Sequence, residues 1–297
     1  MKVLVLGGNG FIGINIVARL KRKKIEVLIG SRKSDKGNVR QIQLQHMINA
    51  EDWFAELQGV DVVVNSVGIL RERRGESYNK IHALAPEALA NACVQLGVKL
   101  IHISAIGLTQ QAKSNFIRSK YFGELAILAS GADAIIVQAS LLDGQIGNGG
   151  AGYGAKWFRR VASWPVQFVM QSNGLVAPLQ VTDLGEAVAN LCQMDFDDLP
   201  KVIELGGNET FTITQYLQAL RASIYKKPAL QIAMPKWLVR AASHIFDGLT
   251  LTPLSFGHFE LMQGYNVPAV NKLPALLGRR PCGLNMQVAC GELVSVN

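Results

Sequence analysis

Short apolar runs alternate with longer amphipathic stretches through the first half of the chain, and that alternation predicts the fold. Val3–Leu6 is a compact apolar run that stops at glycine, the pattern of a strand buried on both faces. Phe11–Lys23 has helical spacing, with Ile12, Ile16, Val17 and Leu20 on one side and a basic last turn that suits the helix dipole. Ile25–Ile29 predicts a second strand, Arg40–Leu44 a weaker third, Asp61–Asn65 a fourth and Lys99–Ser104 a fifth, with a helix over Ala83–Leu96. A helix over about Phe116–Ala129 leads to a sixth strand at Ala134–Val137. Short apolar strands alternating with amphipathic helices predict an α/β protein with a doubly wound parallel sheet and right-handed crossovers.

The character changes after about Leu142. Gly144–Gly154 holds six glycines in eleven residues, which suits a loop over a cleft. Beyond it come Pro178–Val181, a helix over Asp183–Met194 with Asp183 as its expected cap, and a strand at Ile203–Leu205. Phe211–Tyr225 predicts a helix capped by Thr210 or Thr212. The rest, punctuated by six prolines from Pro228 to Pro281, predicts short helices joined by kinked connections. The expected organisation is a nucleotide-binding domain over 1–143, to which 175–205 returns. A smaller mixed α/β lobe takes 144–174 and 206–297.

Composition adds limits. Of 297 residues, 49 % are apolar and 18 % charged, so a sizeable core forms and global disorder is excluded. The net charge is +8, and basic residues come in scattered pairs such as Arg159–Arg160, Lys226–Lys227 and Arg279–Arg280. Such scatter is first a solvated face and second a surface for anionic ligands or an anionic membrane. No nucleic-acid module is visible. The four cysteines have no metal-ligand spacing, and Cys93 and Cys192 sit in apolar helical patterns; a reducing, cytoplasmic home is the simplest expectation. The first apolar run stops at Gly7, too early for a signal peptide, and no window approaches a membrane span. A soluble protein, or one peripheral to the cytoplasmic membrane face, is expected.

The chemistry-bearing motif is Gly7-Gly8-Asn9-Gly10-Phe11-Ile12-Gly13, set between a strand and a helix. Glycines there permit a tight turn and close approach of backbone to a pyrophosphate, and the helix offers its positive end. The pattern is that of a Rossmann-type dinucleotide site. An NAD site places a carboxylate at the end of the second strand to bind the ribose 2′-hydroxyl. Here Gly30 is followed by Ser31, Arg32 and Lys33, with no acid before Asp35, so NADP(H) is expected ahead of NAD(H): Arg32 can pair with a 2′-phosphate. The five histidines show no metal spacing, and no metal is expected. His102 alternates into a strand and is expected in the core; His82 can face either the cleft or the helix surface.

GGNGFIG, DVVVNSVG, NKIH, HISAIG and the triplet Arg118-Ser119-Lys120 together resemble the short-chain dehydrogenase/reductase superfamily in its extended or atypical branch. The order of motifs, ending in ELGG before a terminal helical lobe, is most similar to the branch of the nucleotide-binding accessory subunit of respiratory complex I. The resemblance implies that Asn65, Ser66, Val67 and Gly68 pass beneath the adenosine and pyrophosphate, and that Ser104 closes the fifth strand near the nicotinamide. It also implies a catalytic tyrosine four residues before a lysine that binds the nicotinamide ribose. Lys120 is in place, but Phe116 stands at the tyrosine's position, and a phenyl ring has no proton to transfer. Tyr121 lies on another face; Tyr78 and Tyr153 are expected on loops, and nothing in the sequence brings either into the cleft.

Three functions follow, in order. The first is an NADP(H)-binding accessory, assembly or sensor protein, docked on a partner such as a membrane-associated complex. For this the stripe Trp237, Leu238, Ala241, Ile245 and Phe246 in Met234–Leu249 offers either a membrane-facing surface or a plain core face. The second is an NAD(P)H-dependent reductase of a quinone, enone or similar small-molecule acceptor that needs no tyrosine, with Gly144–Gly154 as lid. The third is a sugar-nucleotide epimerase or dehydratase, against which Phe116 weighs directly.

Overall fold

The computed structural model describes residues 1–32, 37–73, 75–144, 153–170, 172–224, 227–235, 237–240 and 256–284. The first part of the chain runs β1 (Lys2–Leu6), α1 (Phe11–Arg22), β2 (Glu26–Ser31), β3 (Val39–Gln41), α2 (Phe54–Leu57), β4 (Val62–Asn65), α3 (Ala85–Leu96), β5 (Lys99–Ala105), α4 (Asn115–Ala129) and β6 (Ala134–Ala139). The second part adds β7 (Leu142–Asp143), α5 (Tyr153–Ser163), β8 (Val166–Met170), β9 (Leu175–Val176), β10 (Leu179–Gln180), α6 (Val181–Leu191) and β11 (Val202–Leu205). After them come β12 (Phe211–Thr212), α7 (Ile213–Ile224), β13 (Leu230–Met234) and β14 (Tyr265–Asn266), with short helices at Phe256–Leu261 and Leu273–Leu277.

Seven strands form one sheet in the order β11-β6-β5-β4-β1-β2-β3, every neighbouring pair parallel. Chain order reverses between β1 and β4, which opens a crevice at the carboxyl ends of those strands. The strands are nearly continuous apolar runs because helices cover both faces. On one face Val3, Val5, Val62, Val64, Ile101 and Ile103 pack with Ile16 and Leu20 of α1, Leu184 and Val188 of α6, and Leu273. On the other, Leu4, Leu6, Val63 and Leu100 pack with Trp53, Leu57 and Leu89. α1 and α6 approach closely because Gly185 faces Asn15: a Cβ on Gly185 would lie 2.8 Å from the Asn15 backbone.

The smaller lobe has its own core of Phe158, Val161, Ala162, Val169, Ile213, Tyr216, Leu217 and Leu220, built by α5, α7 and β8. β8 and β13 pair in parallel, β7 pairs with β10, and β9 lies between β12 and β14. Buried polar contacts stitch this lobe to the main sheet. Asp143 accepts from Arg159 at 3.0 Å and from Gln180 at 3.1 Å. Asn266 donates to the Ile106 carbonyl at 2.7 Å, just past β5.

Local differences from the sequence expectation have local causes. The third strand is Val39–Gln41, and Leu44 instead starts a 3₁₀ turn that buries its side chain. Phe211–Thr212 pairs with β9, so α7 starts at Ile213; Thr212 and Gln215 then form a reciprocal cap, Thr212 Oγ1 accepting from the Gln215 amide at 3.2 Å and Gln215 Oε1 accepting from the Thr212 amide at 2.8 Å. Asp183 does not cap α6, which begins two residues earlier. It is fully buried and accepts from Arg279 at 2.8 Å and from the Cys282 amide at 2.6 Å, so it anchors the later chain. Most of Gly144–Gly154 and residues 241–249 of the Met234–Leu249 stripe lie outside the described residues. Cys93 and Cys192 are buried, and burial pushes both thiols up to about 12.

Candidate functional site

The crevice is built first by the glycine turn. Gly7 adopts φ +75, a left-handed conformation that glycine tolerates without strain, and its amide donates to the Gly30 carbonyl at 2.8 Å. Gly10 precedes α1, and its amide closes the turn on the Gly7 carbonyl at 2.7 Å. A Cβ on Gly13 would stand 2.2 Å from that same carbonyl, so only glycine lets the helix start here. No side chain caps α1 and no acid stands in its first turn. Asn9 and Gly10 are exposed at the tip and Phe11 and Ile12 half-buried behind it. The turn therefore fits a pyrophosphate: it is close, backbone-lined and at the positive end of a helix.

β2 ends beside it. Gly30 packs against Leu6, and Ser31 and Arg32 leave the strand toward solvent. Arg32 pairs with Glu76 at 2.9 Å, its own side chain 65 % exposed. Lys33 lies outside the described residues.

The end of β4 packs on the glycine turn. A Cβ on Gly7 would meet Val67 at 3.1 Å and Ser66 at 3.2 Å, and Ser66 donates to the Leu6 carbonyl at 2.7 Å. Asn65 is buried; its Oδ1 accepts from the Val67 amide at 3.1 Å and its Nδ2 donates to His102 Nδ1 at 3.2 Å. His102 is thus a core histidine, and burial lowers its pKa to about 3, with Lys120 adding to the effect.

His82 is neither on the helix surface nor free in the cleft. It is buried in a turn of wide, π-type helix, Lys80–Leu84, that leads into α3. The Ile69 amide donates to its Nε2 at 3.1 Å, which leaves the ring proton on Nδ1 to donate to Ser119 Oγ at 3.0 Å; Ser119 in turn donates to the Phe116 carbonyl at 3.0 Å. Burial first, then Lys120 and His102, holds His82 well below the usual imidazole range. The chain past β4, the π-type turn and α4 are thereby locked together. Gly123 makes the fit possible, since a Cβ there would lie 1.8 Å from the His82 carbonyl.

Lys120 is half-buried on α4 and aims at the end of β4: its Nζ is 3.9 Å from where a Cβ on Gly68 would stand. Burial lowers its pKa against the pull of Glu124 one turn on. Glu124, four residues after Lys120 on the same face of α4, adds an acid to the site. It is buried, accepts from Gln138 at 2.8 Å, and faces Ser104. Ser104 Oγ and Glu124 Oε1 are both buried with no well-formed hydrogen bond among the described residues. Burial pushes the Glu124 carboxyl above its usual range despite Ser104, Gln138 and Lys120.

Phe116, four residues before Lys120, is 6 % exposed. Its ring meets Tyr78 and His82 edge-on at 5.7 and 5.6 Å and stacks on His258 at 5.3 Å. His258 belongs to the helix Phe256–Leu261, which crosses so near that a Cβ on Gly257 would lie 2.8 Å from the Phe116 ring. Glu260 of the same helix accepts from the Lys113 and Ser114 amides at 2.7 and 2.8 Å, clasping it to the start of α4. Tyr78 points its hydroxyl to the Leu70 carbonyl at 2.9 Å, and Tyr121 packs on Phe122. The side chain of Tyr153 is outside the description. No cluster of three metal-ligating side chains occurs among the described residues, nor a helix long and apolar enough to cross a membrane.

A parallel sheet that reverses at β1/β4, with a glycine turn at its crevice, is a Rossmann-like α/β fold. The chain matches the model of the NAD dependent epimerase/dehydratase family over residues 3–132. It is 25 % identical over 203 residues to ceramide reductase of Caulobacter vibrioides, covering 67 % of this chain and 62 % of that protein. It is 24 % identical over 252 residues to the mitochondrial NADH dehydrogenase (ubiquinone) 1 alpha subcomplex subunit 9 of Mus musculus, covering 79 % and 65 %. The matched part thus spans less than two thirds of these relatives' length. Among solved structures, a nucleoside-diphosphate-sugar epimerase from Staphylococcus aureus superposes with a TM-score of 0.75 at 17 % identity, over 96 % of this chain and 99 % of that one. UDP-glucose 4-epimerase of Thermus thermophilus, in complex with NAD, superposes at 0.65 and 18 % identity, over 96 % and 97 %. These two likenesses concern the fold.

Proposed function

We propose that this chain is an NADP(H)-binding accessory, assembly or sensor protein that holds its dinucleotide without tyrosine-dependent turnover. The observation that carries this reading is Phe116: the ring four residues before Lys120 has no proton, and it is enclosed by Tyr78, His82, His258 and Gly257. In this reading Gly7–Gly13 and the β4 end, Asn65–Gly68, hold the pyrophosphate and adenosine, Ser31, Arg32 and Lys33 the 2′-phosphate, and Lys120 the nicotinamide ribose beside Ser104. The bound nucleotide supplies hydride chemistry; the chain supplies grip, orientation and a dry floor. Similarity to a complex I subunit supports a role beside a membrane-associated protein complex.

The Arg32–Glu76 pair is compatible with a 2′-phosphate. An exposed pair of this kind is worth roughly 0–1 kcal/mol, less than a charge-assisted bond from guanidinium to phosphate at about 1.5–3 kcal/mol. Fluorescence titration tests it: NADPH is expected to bind more tightly than NADH, and Arg32→Ala to remove roughly tenfold or more of that preference. Equal affinity for the two nucleotides in the natural protein defeats the NADP(H) assignment.

A second reading, an NAD(P)H-dependent reductase of a quinone or enone, draws on the retained Lys120 and on similarity to a protein named for reduction of ceramide. Oxidation of bound NADPH by a panel of such acceptors distinguishes the two; the first reading expects none. Sugar-nucleotide epimerisation or dehydration comes third, because it relies on the tyrosine that Phe116 replaces.

A further inference from the structure

The positive charge of this protein is not spread over it. Residues 144–182 contain three lysines or arginines and no carboxylate, and residues 210–246 contain five and again no carboxylate. Those eight are the whole of the +8 excess; the rest of the chain carries 22 basic against 22 acidic side chains. Of the eight, Lys156, Arg159 and Arg160 lie on α5, Arg221 on α7, and Lys227 just before β13.

The same elements expose an apolar face. β8 and β13 pair with Val166 opposite Leu230 and Phe168 opposite Ile232. The alternate residues of β8, Gln167 and Val169, are buried against the lobe. The outward face is therefore aliphatic and aromatic: Phe168 is 58 % exposed, Leu230 64 %, with Val166 and Ile232 beside them. Trp164 leads into the ribbon and Trp237 follows it, the latter 70 % exposed. Exposed Lys156 and Arg160 on α5, and Lys227 three residues before Leu230, lie on the same elements.

We infer that this ribbon face docks the protein on an anionic phospholipid surface, with Phe168, Leu230 and Ile232 entering the acyl boundary and the basic residues at the headgroups. Charge complementarity favours lipid as the occupant: an apolar face, tryptophans before and after the ribbon, and exposed Lys156, Arg160 and Lys227 on the same elements match an interfacial site. A nucleic acid uses aromatic platforms for stacking, whereas Val166, Leu230 and Ile232 are aliphatic. The surface lies on the lobe, away from the glycine turn, and the inference is independent of which nucleotide binds.

The test is flotation of the full chain with phosphatidylcholine vesicles, with and without about one third phosphatidylserine, at low and high salt. Binding is expected to the anionic vesicles alone and to weaken with salt, each basic residue at the surface being worth about fivefold. Phe168→Glu is expected to reduce binding roughly tenfold or more, and Arg160→Glu with Lys227→Glu to do the same. Both variants are expected to titrate NADPH as the natural protein does, which shows that they fold. Equal binding to neutral and anionic vesicles overturns the inference. So does binding untouched by the ribbon substitutions, a stable dimer that buries Phe168, or saturation of the face by RNA in place of vesicles.

Discussion

Single residues here act through proton affinity as much as through shape. His102 is neutral in the fold with a pKa near 3, whereas an unfolded histidine titrates near 6.5. As pH falls below 6.5, the unfolded chain takes up a proton that the folded chain refuses, so stability is lost at about 1.4 kcal/mol per pH unit from this group. His82 acts in the same direction, and Glu124 in the opposite one, since its raised pKa lets the folded state bind a proton first. Comparison with His102→Gln isolates the first contribution. Between pH 6.5 and about 4.5 the variant is expected to lose stability less steeply than the natural protein, by about 1.4 kcal/mol per pH unit in urea unfolding. Identical slopes refute the assignment. His102 was legible from the sequence because a strand fixes its neighbours by alternation. The Phe116 enclosure was not, because Tyr78 and His82 on one side and His258 on the other reach it from two stretches of chain far from α4 in sequence.

Elements follow a similar rule. The strands of the seven-stranded sheet and α1, α3 and α4 were legible because their spacing is local, and the glycine turn because its residues suit one tight conformation. What escaped is what depends on a partner. The π-type turn Lys80–Leu84 exists to seat His82 under α4, and Asp183 leaves the cap position because Arg279 and the Cys282 amide need a buried acceptor. The β1–α1 junction supplies the sharpest test at this scale. Gly13→Ala places a methyl 2.2 Å from the Gly7 carbonyl, so the turn must open. Dinucleotide affinity is expected to fall at least roughly a hundredfold in calorimetric titration, as the pyrophosphate loses amides and helix end together. Affinity within threefold of the natural value excludes this turn as the grip.

At the scale of the molecule, buried polar stitches join the two parts alongside apolar packing such as that of Leu273, Leu276 and Leu277 on the main sheet's core. Arg279 pairs with Asp183 and with Glu186, each at 2.8 Å, and brings the chain after Leu277 down onto α6. Arg279→Met leaves Asp183 buried with only the Cys282 amide for a partner. Breaking such a pair costs about 2–4 kcal/mol, the lower part of the usual range for buried pairs because Arg279 is partly exposed. A loss under about 0.5 kcal/mol in denaturant unfolding contradicts this role. The change of composition near Leu142 was legible in the sequence. These stitches were not, since nothing local marks Asp143, Asp183 or Asn266 as an anchor.

The partition of charge has a consequence for motion. A particle whose excess charge is gathered in one lobe, with the remainder electrically balanced, feels a torque near an anionic boundary before it feels contact. At physiological ionic strength that torque acts only within about 8 Å, so it does not draw the protein in from a distance. It selects among encounters already made, keeping those in which the basic lobe leads and shedding the rest. The nucleotide half then trails toward solvent, its crevice carried in one attitude.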